Sequence, residues 1–474
     1  MSEVQTPPKR KWRLTRRGFL IGAGVTGFGL AVGIAVGRRP FYRFVAGMLD
    51  KTESLGELEN DPFAWFELNP DNTITVYISK VEMGQGVHTA LAQIAAEELG
   101  VRWDQLKVQQ AGTLNGPADG SGTGNSGSVT ATFNPLRQAG ALMREMLTLK
   151  AAEKMGLPAA DLEAKEATVR AQTNPEKSMT YSEIAAGVSE WPEVDVESLS
   201  LKPASEFEFI GRSLPRVDFA DKLTGQATYG YDARLEGMLY GAVARPRTIG
   251  ATMISASAGD AESRPGVVKV VIDEAAGFAG VVAQTRQQAQ AAVRALEIEW
   301  DEGQLWQQDE LEALLSFENG REGYEIQGEG NASRVIGNAP TLTAEYFTPF
   351  AIHAHLEPQA AVADVQGESV TIYGSTQSAG VVQGEIAEIT GFAAENINVT
   401  PTYLGGGFGR RLNIEAAVEA TRLSQAAGVP VHVGWSRTED MRYGYYRPPT
   451  RSQLSAKLAN GRVSAIEHKH ASGP

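Results

Sequence analysis

Three glycine-rich loops hold the residues whose types and spacing could do chemistry. The first is Gly84-Gln85-Gly86, where the Gln85 amide can both donate and accept. The second runs from Gly122 to Ser128 and carries hydroxyls on Thr123, Ser126 and Ser128. The third runs from Gly405 to Gly409, with Phe408 as its only bulky side chain. Glycine lets a backbone approach a ligand closely and take positive φ. A helix behind such a loop aims unpaired N–H groups and its positive dipole end at an oxyanion. None of the three fits a dinucleotide-binding G-x-G-x-x-G or a Walker A loop. Any one of them alone is more often a plain turn. Three in one chain suggest a large, phosphate-bearing cofactor gripped from several sides. The pairs His353/His355 and His468/His470 could each offer two metal ligands from a strand, but no third ligand is near and no metal residue is assigned. His88 reads as a packing or helix-capping residue.

The elements that must position these loops follow from hydrophobic spacing. Residues 74–79 alternate like a strand before the first loop, and 89–99 have helical spacing after it. The second loop leads into a helix expected from Pro135 to Met155. From Gly211 the texture changes to short strands, expected over 227–230, 238–241 and 267–271, with a helix over 284–296. Strands over 370–373 and 397–399, with a helix over 377–390, lead to the third loop. A helix over 414–427 and a strand over 431–433 follow. The expected class is α+β with mixed sheets. The expected segments are 61–205, 206–305 and 341–474, with a polar linker over 41–60 and a connector over 306–340.

Composition narrows the function. The 474 residues contain no cysteine, which excludes disulfides, a thiolate metal site and an iron–sulfur cluster ligated by this chain. Residues 1–40 carry eight basic residues and one acid, Glu3, while the rest is strongly acidic. The net charge is −14. An acidic body offers no footprint for nucleic acid. Thr15-Arg16-Arg17-Gly18-Phe19-Leu20 has the form of a twin-arginine export signal, and the uncharged run 18–37 is long enough to span a bilayer core. Arg38-Arg39-Pro40 follows directly, with no clean A-x-A cleavage site nearby. Residues 1–40 are therefore expected to direct export and to be retained as an anchor on the periplasmic side of the inner membrane.

Several segments resemble a known family. Val81-Glu82-Met83-Gly84-Gln85-Gly86-Val87-His88-Thr89 resembles the E-M-G-Q-G-x-x-T segment of molybdenum hydroxylases of the xanthine oxidase family. Ser375-Thr376-Gln377 resembles their S-T-Q segment, Gly405-Gly406-Gly407-Phe408-Gly409 their G-G-G-F-G loop, and His355-Leu356-Glu357-Pro358 their H-x-L-E-P turn. The stretch from Gly211 to Tyr229 resembles the start of their α/β hammerhead domain. The G-Q-G segment precedes the G-G-G-F-G loop here. That order is similar to the large subunits of isoquinoline 1-oxidoreductase and membrane-bound aldehyde dehydrogenase.

The resemblance implies molybdopterin-binding mixed-sheet domains flanking an α/β hammerhead-like domain, preceded by an N-terminal signal or anchor helix. It implies a molybdopterin cofactor with molybdenum, in the cytosine dinucleotide form, and hydroxylation of an aldehyde or N-heterocycle carbon with water-derived oxygen. Gln377 and Phe408 would stand at the metal as catalytic residues. Gly84, Gln85, Gly86, Ser126, Ser128, Gly406, Gly407 and Gly409 would bind the cofactor. Electrons would pass to a separate [2Fe–2S] subunit and, in membrane-bound relatives, onward to a haem-c subunit. Leu412, where purine-oxidising members carry an acid, argues against a purine. The family's base would fall beyond Pro474. The chain is accordingly expected to be a fragment, to be completed by a second polypeptide, or to be a cofactor-binding relative inactive alone.

Overall fold

The computed structural model describes residues 61–117, 119, 122–318 and 323–472. The expected export signal, anchor and linker lie outside them. Among the described residues no helix is long and apolar enough to cross a membrane. The described chain divides into two compact units, the larger from 61–303 and 353–444, the smaller from Gln304–Ile352 and 445–472.

In the larger unit, strands β1 (Phe66–Leu68), β2 (Ile74–Ile78) and β3 (Leu106–Gln110) form a sheet in the order β1-β2-β3. Helix α1 (Val87–Leu99) makes the crossover between β2 and β3, which are parallel. Its Leu91, Ile94 and Leu99 are buried with Ile74, Val76 and Ile78 of β2. Helix α2 (Ser128–Met155) lies on α1 and adds Leu136, Met143 and Leu147 to the same core. This helix starts well before the expected Pro135. Proline favours the first helical turn, so it reads as a start signal in the sequence. Here it sits inside the helix, and the true start is at the end of the second loop. Left-handed glycines, Gly100 and Gly156, stop the two helices.

The second sheet of this unit has seven strands. They are β4 (Leu239–Val243), β5 (Val267–Asp273), β6 (Phe278–Ala283), β7 (Ala360–Gln366), β8 (Ser369–Gly374), β9 (Ile397–Pro401) and β10 (Val431–Gly434). Their spatial order is β9-β8-β7-β10-β4-β6-β5. The pairs β8–β9 and β10–β4 are parallel and the others antiparallel, so the sheet is mixed. Helices α3 (Arg286–Val293), α4 (Ala379–Thr390) and α5 (Glu415–Ala427) cover it. Val382, Ile386, Ala420 and Leu423 are buried with Ile372, Val399, Val431 and Val433. The strand expected over 227–230 is a turn instead. The Tyr229 carbonyl accepts from the amides of Asp232 and Ala233, which curls the chain, and only an isolated bridge joins Tyr229 to Tyr403.

The smaller unit is built on an antiparallel sheet of Leu342–Thr348, Thr450–Ala459 and Arg462–Ser472, in that order. His468 and His470 lie on its last strand with ring centroids 5.8 Å apart.

Candidate functional site

All three glycine-rich loops lie at carboxyl ends of parallel strands in the larger unit. The first follows β2, the second follows β3, and the third follows β9. Gln377 follows β8. Openings at the carboxyl ends of parallel strands are the usual ligand crevices of such sheets.

Glu82 shapes the first loop. Its carboxylate is buried and accepts from the amides of Gly84 (2.9 Å), Gly86 (3.0 Å) and His88 (3.2 Å). Arg216 donates to it as well, at 3.1 Å, and also to the Gly84 carbonyl at 3.2 Å. Asp218 pairs with Arg216 and with Lys222, and these hydrogen bonds hold the Asp218 carboxyl well below the usual carboxylate range. At the start of α1 the amides of Gly86 and His88 are thus engaged by the protein's own carboxylate. Gln85 is exposed, and its amide folds back onto its own loop: its oxygen accepts from Met83 N at 2.7 Å and its nitrogen donates to the Val81 carbonyl at 2.9 Å. His88 is buried, its ring nitrogen within hydrogen-bond reach of the Lys80 carbonyl and Gln110. Burial presses its pKa down.

The second loop is tied to the first through Thr123, whose hydroxyl accepts from Val81 N at 2.8 Å. Lys80 donates to the Gly122 carbonyl and to Asp119, each at 2.9 Å. At its far end the loop delivers Ser126, exposed and at φ +54°, and then Ser128, the first residue of α2. The N-terminus of α2 has no side-chain cap, in contrast to the carboxylate-filled start of α1. Its first N–H groups remain available to an anion. No described hydrogen bond ties Ser126 or Ser128 to the other loops.

Gln377 joins the second loop to the third. It is buried, donates through Nε2 to the Thr123 carbonyl at 2.6 Å, and accepts at Oε1 from Gly409 N at 3.0 Å. Its backbone carbonyl accepts from Thr123 N and its amide donates to the Arg411 carbonyl, both at 2.9 Å. The third loop reaches the first directly, since Leu404 N donates to the Glu82 carbonyl at 3.1 Å. Gly407 lies where this packing is tightest. A Cβ there would fall inside contact distance of Met83 Sδ and 2.7 Å from Gln377 Oε1. Gly406, Phe408 and Gly409 all take positive φ, and the Phe408 ring is 69% exposed. The structure therefore brings together Gly84, Gln85, Gly86, Gln377, Gly406, Gly407, Phe408 and Gly409.

A second, largely buried carboxylate, Glu357, holds the third loop. It accepts from Gly405 N at 2.8 Å and Tyr231 N at 3.2 Å, and pairs with the fully buried Arg411 at 3.0 Å. Burial pushes its carboxyl up while Arg411 and the two amides pull it down. Arg411 also donates to the Gly406 carbonyl at 2.8 Å. His355 sits beside this pair with Nδ1 2.5 Å from the Glu357 carbonyl. Burial and the Arg411 charge lower it to about 3. Among the described residues no cluster of three or more metal-ligating side chains occurs. Glu82, Arg216 and Arg411 organise the loops, yet sequence reading gave them no such role. Glu82 stands inside the first recognised motif and Arg411 two residues after the third, but spacing does not say which way a side chain turns.

The donor set fits a large anionic cofactor. It consists of backbone N–H groups, two serine hydroxyls and an amide, on loops whose carboxylates are already paired. Comparison with known proteins agrees. Residues 10–231 and 317–473 each match a molybdopterin cofactor-binding domain. A membrane-bound aldehyde dehydrogenase [pyrroloquinoline-quinone] of Gluconacetobacter polyoxogenes is 31% identical, over 97% of this chain and 60% of that protein. The beta chain of isoquinoline 1-oxidoreductase of Brevundimonas diminuta is 30% identical, over 96% of this chain and 64% of that protein. A nicotinate dehydrogenase polypeptide of Pseudomonas putida is 28% identical, over 86% of this chain and 35% of that protein. The chain thus spans less than two thirds of the length of these relatives. With two cofactor-binding domains and these relatives, the chain belongs to the molybdopterin-binding subunits of the xanthine oxidase family of molybdenum hydroxylases.

Proposed function

We propose that this chain is the molybdopterin-holding part of an enzyme that hydroxylates an aldehyde or the ring carbon of an N-heterocycle. The observation that carries the reading is the meeting of three glycine-rich loops, from the carboxyl ends of strands in two sheets, around Gln377, which bonds the second loop to the third. When bound, the cofactor supplies a molybdenum centre that takes two electrons from the substrate carbon while water supplies oxygen. The chain's own residues do the rest. Gly84, Gly86, Gly406, Gly407 and Gly409 give backbone close approach. Gln85 lends its amide to the pterin side. Ser126, Ser128 and the uncapped start of α2 receive phosphate oxygens, in keeping with a cytosine dinucleotide arm. Gln377 would present an uncharged amide to the metal centre, and Phe408 would line the metal pocket.

With no cysteine in the chain, electrons leave through a separate [2Fe–2S] subunit, and a haem-c subunit follows it in a membrane assembly. The segment from Gly211 belongs to a hammerhead-like domain within 206–305, and the cofactor-binding segments are 61–205 and 341–474. Residues 1–40 direct twin-arginine export and anchor the protein on the periplasmic side.

The test is metal and nucleotide content of the chain produced with its partner subunits. Molybdenum and acid-released CMP near one per chain are expected, followed by dye reduction with one of a panel of aldehydes and N-heterocycles. A folded sample without either overturns the reading. Replacing Arg16 and Arg17 with lysine is expected to leave the protein in the cytoplasmic fraction. Undiminished export of that variant rejects the export route.

A further inference from the structure

The edge of the seven-stranded sheet that carries Gln377 and the third loop carries a second feature. Strands β8, β9, β10 and β4 run in one direction, so their carboxyl ends share that edge. Beyond β10 and β4 a cavity of about 550 Å³ opens. Its walls come from α3, from the strand Glu297–Asp301 and from the helix Arg437–Arg442. The strands that floor it lie two and three spacings from β8, roughly 10–15 Å along the edge. No residue of the three loops lines it.

The floor of this cavity is braced. Arg245 follows β4 and its side chain is 10% exposed. The guanidinium lies 4.1 Å from the centroid of the Trp435 ring. Arg245 Nη2 and Trp435 Nε1 both donate to one oxygen of the buried Glu419, each at 2.9 Å. The cation and the ring are thereby fixed before any ligand arrives, which removes an ordering cost from binding. Trp300 and Tyr443 add aromatic wall. The lining carries three cations, Arg245, Arg294 and Arg442, against one carboxylate, Glu439, which faces Arg245 at 3.5 Å. Arg294 and Arg442 are exposed and form no described ion pair, so their donors point to solvent or to a ligand.

A volume in the small-molecule range, aromatic walls and a cationic rim together select a flat apolar ligand with a negative end. We propose that this cavity is a binding site for a planar aromatic carboxylate, separate from the three-loop cluster. The inference stands on the cavity alone and does not depend on the cofactor reading.

Calorimetric titration of the purified full chain tests it, with 2-naphthoate as probe and 2-naphthalenemethanol as its neutral counterpart. One naphthoate per chain is expected, with the alcohol at least about tenfold weaker. The double variant Arg294→Gln/Arg442→Gln changes only exposed rim residues. It is expected to weaken naphthoate about tenfold and leave the alcohol unchanged. Trp300→Leu is expected to weaken both. No binding of naphthoate at millimolar concentration overturns the proposal, as does equal affinity for the alcohol. Loss of naphthoate binding in Gln377→Ala, with the double arginine variant unaffected, would place the ligand at the three-loop cluster and overturn it too.

Discussion

Glu82 shows how one carboxylate can settle the chemistry of a loop. It occupies the Gly84, Gly86 and His88 amides, part of what the first loop and the start of α1 would offer to a phosphate, and leaves the uncapped start of α2 as the freer anion site. Removing it strands buried donors and Arg216. Glu82→Ala is therefore expected to cost about 3 kcal/mol in urea unfolding. A loss under about 0.5 kcal/mol would show that the loop does not rest on it. Gln377 uses both ends of its amide, so Gln377→Glu would set a carboxylate oxygen against the Thr123 carbonyl. About 2 kcal/mol of destabilisation is expected in the same assay. The buried histidines add a pH dependence. Burial lowers His355 to about 3 and His432 to about 4, from 6.5. Between those values the unfolded chain binds protons that the native chain does not. Their contribution is present in full above pH 6.5 and is lost as pH falls toward 4, by up to about 1.4 kcal/mol per pH unit for each. Urea midpoints measured across that range check the slope, and His432→Gln should flatten it. At this scale the sequence displayed the site's glycines and Gln377. It could not display the fold-back of the Gln85 amide or the clamps made by Glu82 and Glu357, because spacing does not say which backbone amide or distant partner each side chain meets.

At the scale of elements, the loops depend on glycine chiefly where they touch one another. Gly407→Ala would press a methyl group between Met83 and Gln377. About 2 kcal/mol of lost stability is expected, with lower cofactor retention. Adding Met83→Ala removes one of the two obstructions and should recover part of that loss. A double-mutant cycle measures the coupling, and strict additivity would mean that the two loops do not press on each other. Most helices and strands around the site were legible, because each buries one clear stripe or face: α1 through Leu91, Ile94 and Leu99, and β8 through Val370 and Ile372. Two errors have physical sources. Pro135 mimics a helix start although α2 is already under way, and the 227–230 alternation is too short to outweigh the turn closed by Asp232 and Ala233.

For the molecule as a whole, the seven-stranded sheet was not legible. Its centre pairs β4 with β10, and nothing in local patterning announces a partner that far along the chain. The smaller unit contains a contrasting stretch, residues 323–331, which forms no regular element and leaves Tyr324 and Ile326 95% exposed. Limited digestion with a glutamate-specific protease is expected to cut first at Glu325 or Glu329. A first cut within 61–303 or 353–444 would contradict this division. The bond between Gln377 and Thr123 spans 254 residues, and the third loop lies further along still. At a synthesis rate of about 5–20 residues per second, the first loop waits on the order of half a minute for its companions to be made. During that wait there is no pocket for a ligand to find. Whatever occupies the three loops must be loaded onto a chain that has already folded, so the timing of loading is set by topology rather than by affinity.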